Sequence, residues 1–84
     1  MIKEHEGIIV EEGDRIFFVP KDNITERIVI STLHPMSPRM PEDFPPVNLR
    51  EFVGKAVFIR GELGWSLGGK VLFGVPNDGI KAIE

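Results

Sequence analysis

The sequence predicts an all-β domain that contains one short helical turn. Runs of β-branched and aromatic residues recur along the chain and are separated by turns that contain Gly or Pro, which is the pattern of short strands. Helix signals are scarce, and residues 33–47 contain five prolines, which excludes both a helix and a central strand there. Residues 1–84 are expected to form a single domain, because a chain of this length is too short for two cores.

The first part of the chain predicts three strands on short turns. Residues 7–11 are rich in β-branched side chains, and residues 15–19 follow after a turn that contains Gly13, so the two segments are expected to form a hairpin. Pro20 begins the next turn, and residues 26–31 form the predicted third strand. Three consecutive strands joined in this way predict a meander.

Residues 33–47 form a Pro-rich loop between the third strand and the helical turn. Prolines at every third position favour a polyproline II segment, and so long an irregular loop is uncommon in a small domain. Residues 17–19, 28–30 and 71–73 are apolar on both faces of their strands and therefore need cover on both sides. We expect the loop to supply this cover through Met40 and Phe44; cover by a second chain is the alternative.

A short helical turn is predicted over residues 48–54. Asn48 can cap its first amides, Glu51 can complete a capping box, and Gly54 stands where a left-handed residue would end the turn. The fourth strand follows over residues 55–63.

The fourth strand places alternate side chains on opposite faces. Val57 and Ile59 are expected to lie in the core, whereas Arg60 and Glu62 are expected to be more exposed. Residues 64–69 are predicted to form a hairpin loop, residues 70–75 a fifth strand and residues 80–83 a terminal extension.

Two segments resemble a known family. Residues 49–63 match the pattern L-x-x-φ-φ-G-K-x-V-x-φ-x-G, and residues 71–83 are similar to the closing strand of small stand-alone OB-fold-like proteins of mostly uncharacterised function. The resemblance implies a five- to six-stranded OB-like small barrel, from which the Pro-rich loop departs. It implies no activity and no site residues, because this fold carries many unrelated functions.

Composition narrows the function classes. Ten Lys and Arg against thirteen Asp and Glu give a net charge of −3, and there is no basic run to attract nucleic acid or anionic lipid. The absence of Cys excludes disulfides and thiolate metal sites and fits a reducing, cytoplasmic compartment. The charged N-terminus predicts no cleaved leader, and no apolar run is long enough to span a membrane.

No catalytic constellation is apparent in the sequence. His34, Glu42 and Asp43 match no metal-ligand spacing, and there is no Gly-rich phosphate loop between a strand and a helix. We therefore expect no catalytic residue, no cofactor and no metal. The favoured interpretation is a non-enzymatic binding or accessory module with a protein partner, or one that self-associates.

Single-stranded nucleic-acid binding is the alternative function. OB folds bind single strands through aromatic and basic side chains on their outer strand faces and flanking loops. The side chains of this chemistry form the candidate ligand or partner surface: Arg15, Phe17, Arg27, Phe58, Arg60, Trp65 and Lys70. Acidic residues at 11, 12 and 14 would repel phosphate at the first loop. The indole of Trp65 is expected either to tuck over a barrel end, the favoured arrangement, or to form an exposed stacking platform beside Phe58 and Arg60.

Overall fold

The computed structural model describes residues 1–83 and is built almost entirely from strands. The strands are β1 (Lys3–Glu12), β2 (Arg15–Pro20), β3 (Val29–Ile30), β4 (Ala56–Ser66), β5 (Gly69–Phe73) and β6 (Ile80–Ala82). Two short 3-10 turns, Pro41–Asp43 and Leu49–Phe52, supply the helical content of this part of the chain. The all-β prediction is confirmed. Within residues 1–83, no helix has the length and apolar character that a membrane crossing requires.

The six strands belong to one sheet with the order β2-β1-β4-β5-β3, and β6 also pairs with β4. Neighbouring strands are antiparallel except for β3 and β5, which are parallel. The first half of β4 lies between β1 and β6, and its second half pairs with β5. Of the strand pairs that include β4, β5 or β6, all except β3–β5 therefore involve β4.

The sheet is not closed between β2 and β3. Phe18 and Ile28 exchange two backbone hydrogen bonds, with N–O distances of 2.8 and 2.9 Å, and form an isolated bridge. Beyond it a cleft of about 230 Å³ is lined by Ile16 of β2 and Ile30 of β3, with Leu49 beside them. The predicted meander is thus wrong at its third strand. This strand comprises Val29–Ile30 rather than residues 26–31, and its continuous partner is the parallel β5.

The core contains the inward-facing side chains of the sheet. Val57 and Ile59 are fully buried, together with Ile9 of β1 and Leu72 of β5. Arg60 is exposed and Glu62 is half-buried, so the predicted alternation of the fourth strand is confirmed except that Glu62 is partly covered.

Gly61 is the point at which β4 changes partners. It is the last β4 residue opposite β1, where it faces Lys3, and the next residue, Glu62, already faces Phe73 of β5. A Cβ atom on Gly61 would lie 2.8 Å from the carbonyl oxygen of Phe73 and 2.8 Å from a methyl group of Val75. Because real Cβ atoms do not approach so closely, this position requires glycine.

The helical turn before β4 differs from its prediction. Asn48 forms no side-chain capping hydrogen bond, and its buried Oδ1 has no partner among the described residues. The turn Leu49–Phe52 is a four-residue 3-10 helix, too short for a capping box to stabilise, and it inserts Leu49 into the core. Gly54 has the predicted left-handed conformation, with φ of 84°.

The Pro-rich loop is anchored at the end of β3. The amide of Thr32 donates to the carbonyl oxygen of Phe44 at 2.8 Å, and the Thr32 hydroxyl donates to the same oxygen at 3.1 Å. Phe44 is half-buried and Met40 is 41% exposed, so the cover expected from these two side chains is partial. Pro41 and Pro46, which the sequence did not single out, are the buried residues of the loop.

Truncation of Ile59 to Ala should lower the free energy of unfolding by about 2–5 kcal/mol, because it removes three carbons from a fully buried site and leaves a cavity. Urea unfolding measures the loss. Ile24→Ala is the matched control, because Ile24 is 75% exposed, and it should remain within about 0.5 kcal/mol of the parent. Equal stability of the two variants would mean that the register of β4 is wrong.

Gly61→Ala should also destabilise the protein, by about 1–3 kcal/mol, because the added methyl group has no room against the backbone of β5. Gly68→Ala provides the control, since nothing lies within 4 Å of a Cβ at that position. Thermal melts of the two variants should therefore separate by several degrees. A Gly61→Ala protein that melts with the parent would show that β4 does not change partners at this residue.

Candidate functional site

The β4–β5 hairpin is tighter than the sequence suggested. β4 continues to Ser66 and β5 begins at Gly69, so the predicted loop over residues 64–69 is reduced to a two-residue turn of Leu67 and Gly68. Trp65 therefore lies within a strand, directly opposite Lys70. The ammonium nitrogen of Lys70 is 5.8 Å from the centroid of the indole.

The tip of this hairpin exposes two large apolar side chains. Trp65 is 73% exposed and Leu67 is 99% exposed. The expectation that the indole tucks over one end of the fold is therefore wrong. Trp65 is one of the last two residues of β4, next to the hairpin turn, so its indole lies beyond the core. The residue that faces it on β5 is Lys70.

A groove of about 400 Å³ lies between the hairpin and the Pro-rich loop. We call it the hairpin groove and define it by its lining residues: Pro35, Ser37, Pro38, Arg39, Met40, Pro41, Trp65, Ser66, Leu67 and Phe73. Phe73 is 4% exposed, whereas Met40 on the loop side is 41% exposed. The lining is thus mostly apolar, and its two walls come from segments far apart in the chain.

Arg39 is the one ionisable residue of the hairpin groove. Its guanidinium carbon lies 5.4 Å from the centroid of the Phe44 ring, so the positive guanidinium is attracted to the face of this ring. It forms no salt bridge with any carboxylate of residues 1–83. The groove therefore has one cation, and this cation is in no ion pair within the described part of the chain.

The sequence-predicted surface divides into separate places. On β2, Arg15 and Phe17 share one face, with the guanidinium carbon 4.9 Å from the ring centroid. On β4, Phe58 and Arg60 share one face, opposite acidic residues of β1. Trp65 is an odd number of residues from both, so it projects from the other side of the strand, and the proposed Phe58–Arg60–Trp65 platform is not formed.

Three of the four cations in that set contact carboxylates. Arg27 donates to Glu12 at 2.8 Å, and Arg60 lies 3.9 Å from Asp78. Lys70 forms an ion pair with Glu26, in which both side chains are about three-quarters buried. Arg15 has no such partner among the described residues. The basic side chains are therefore largely neutralised within the fold, and no continuous basic strip joins them.

The two histidines do not converge with other chemistry. The Nε2 atom of His5 lies 3.3 Å from the carbonyl oxygen of Gly61, and His34 accepts a hydrogen bond from the amide of Met36 at 3.3 Å. Residues 1–83 contain no group of three or more His, Asp or Glu side chains that could hold a metal ion.

The sequence points to Trp65 and Met40 but gives little sign of the other residues of the groove. Leu67 belongs to the predicted loop over residues 64–69, and its one signal is an apolar residue at the tip of a Gly-rich turn. Arg39 and Pro38 had no signal beyond the proline repeat, because their position opposite Trp65 depends on tertiary packing.

Comparisons with protein-family models, with curated proteins and with solved structures give no match to this chain.

The fluorescence of Trp65 should report its exposure directly, because it is the only tryptophan in the chain. We expect an emission maximum close to that of free tryptophan in water, efficient quenching by acrylamide, and little further red shift when the protein is unfolded in urea. A blue-shifted, poorly quenched emission that moves to the red on unfolding would instead place the indole inside the fold.

Proposed function

We propose that this protein is a non-enzymatic binding module and that its hairpin groove takes a segment of a protein partner. The observation that carries the proposal is the pair of exposed apolar side chains, Trp65 and Leu67, at the rim of a groove walled by prolines. Large apolar side chains that project into water next to a recess are the usual anchors of protein interfaces, where Trp is strongly enriched.

The walls of the groove favour binding because they are already ordered. Proline residues have a fixed φ, so the loop wall loses little conformational freedom when a partner docks. The hairpin wall is held by the β4–β5 ladder up to the two-residue turn. Covering Leu67 alone would contribute about 1.5–3 kcal/mol to binding.

Single-stranded nucleic-acid binding is the second candidate. It is supported by the exposed indole of Trp65, on which a base could stack with a contribution of about 1–3 kcal/mol. Lys70, whose ammonium nitrogen lies 5.8 Å from the centroid of the indole, is engaged by Glu26, which leaves it less available for phosphate. The protein partner is therefore the better supported proposal.

We also propose that the fold is OB-like. The strand order, the parallel β3–β5 pair and the Phe18–Ile28 bridge, taken together, support a ring in which β2 follows β1, β3 follows β2 and β5 lies beside β4. An experimentally determined structure tests this assignment: continuous pairing of β2 with β3 would close the ring, and separation of the two strands beyond the bridge would leave an open sheet.

Leu67→Ser should weaken binding of the partner at least about tenfold, because it removes an apolar contact worth more than about 1.4 kcal/mol. Its stability should remain within about 0.5 kcal/mol of the parent, since Leu67 is 99% exposed. Ile24→Ser is the matched control: Ile24 is 75% exposed and does not line the groove. The measurement compares the proteins that each immobilised variant captures from an extract of the cells that express it.

The captured protein is then purified and titrated against each variant, with the emission of Trp65 as the readout. A protein bound by the parent and by Ile24→Ser, but lost from Leu67→Ser, supports the proposal. A protein that binds all three equally would contradict the groove as its site. Quenching of Trp65 by an oligothymidine, with no protein lost from the Leu67 variant, would favour the nucleic-acid alternative.

A further inference from the structure

We propose that the hairpin groove selects a short segment in which an apolar residue lies next to a carboxylate, and that Arg39 binds this carboxylate. This inference rests on the proposed function and specifies the partner's chemistry. It follows from the charge and the shape of the same groove.

Charge complementarity is the first step of the argument. Of the ten residues that line the groove, Arg39 alone is ionisable, and no acidic side chain lies among them. Five of the nine other Lys and Arg side chains are paired with carboxylates, as in Arg27–Glu12 and Arg50–Glu11, both at 2.8 Å. The groove thus presents a cation that is in no ion pair within residues 1–83, and an acidic segment is the complementary occupant.

The position of the guanidinium is the second step. Packing over the Phe44 ring holds the Arg39 side chain against the loop, so less freedom is lost when it binds an anion. The backbone amide of Arg39 donates to the hydroxyl of Ser37 at 3.3 Å, which fixes the loop at the same residue. A planar guanidinium presented in this way can donate two parallel hydrogen bonds to a carboxylate.

The apolar surface supplies the rest of the specificity. Trp65 and Leu67 form one wall and the prolines form the other, so an apolar side chain of the occupant can lie between them. The prolines of the loop wall provide no N–H donors, so this part of the wall contacts the occupant mainly through the apolar surface of the rings. An apolar residue followed by an acidic one satisfies both the walls and Arg39.

The test uses three blocked peptides that differ at one position: acetyl-Ser-Pro-Pro-Leu-Glu-Pro-Ser-amide and the same peptide with Gln or Lys in place of Glu. Each is titrated at low salt against the full chain, with Trp65 emission as the readout. We expect the Glu peptide to bind about fivefold or more tightly than the Gln peptide, and the Lys peptide to bind more weakly still. Added salt should reduce only the preference for Glu.

Arg39→Gln should remove the preference for the Glu peptide while leaving the affinity for the Gln peptide unchanged. Arg15→Gln is the matched control, because Arg15 is also exposed, also packs on a phenylalanine and also lacks a salt bridge among the described residues. It should retain the full preference. Leu67→Ser should weaken the binding of all three peptides by a similar factor.

Each outcome separates this inference from the proposed function. Equal binding of the Glu and Gln peptides overturns the role of Arg39 in selection. Absence of binding by all three peptides, with a captured partner that still depends on Leu67, overturns the proposed occupant and leaves the groove as a protein site. A captured partner that binds Leu67→Ser as tightly as it binds the parent refutes the proposed function itself. Quenching by an oligothymidine that requires Arg39 overturns the inference in favour of a phosphate ligand.

Discussion

The close approach of β5 to Gly61 is the constraint on which the rest of the structure depends. β4 pairs with β1 and β6 before this residue and with β5 after it, so one strand has to serve two parts of the sheet. The change of partner is possible because no side chain separates Gly61 from the carbonyl oxygen of Phe73. From this point the second half of β4 extends away from the core, and its last residues, Trp65 and Ser66, reach the hairpin groove. The exposure of Trp65 is thus a consequence of backbone packing several residues earlier.

The second wall of the groove follows from the need to cover β5. Val71 and Phe73 are buried although they do not belong to the main core cluster, since they lie on the opposite face of the strand from Leu72. Gly64 leaves space for the Phe73 ring, which lies 3.1 Å from where a Cβ would be. On the loop side Phe73 shares the groove with prolines, so the segment that shields β5 from water also becomes a rigid binding wall. The Pro-rich loop therefore both covers β5 and forms part of the proposed binding surface.

Local sequence patterns correctly predicted burial and backbone conformation where these depend only on residues close together in the chain. The burial of Val57 and Ile59 follows from a strand period of two, and the conformation of Gly54 follows from the absence of a side chain. Local patterns failed to predict structure that depends on contacts between residues distant in sequence. The glycines on either side of Trp65 are equally compatible with a flexible loop and with a tight hairpin, and packing of Phe73 against Gly64 distinguishes the two. The groove itself was beyond local patterns, because the loop wall and the hairpin wall are brought together only by tertiary contacts.

The charge of the groove comes from a single lining residue, Arg39, in an otherwise uncharged lining. Elsewhere about half of the Lys and Arg side chains are ion-paired, as are Arg27 with Glu12, Arg50 with Glu11, Lys21 with Glu6 and Lys70 with Glu26. Exposed pairs contribute only about 0–1 kcal/mol each to stability, so their larger consequence is for recognition, since they cancel the positive potential that a phosphate backbone requires. Arg39 forms no salt bridge within residues 1–83 and packs over the Phe44 ring, with its guanidinium carbon 5.4 Å from the ring centroid. A ring attracts a cation without neutralising it, so the charge of the exposed Arg39 stays available to a carboxylate of a segment that lies against the apolar walls of the groove.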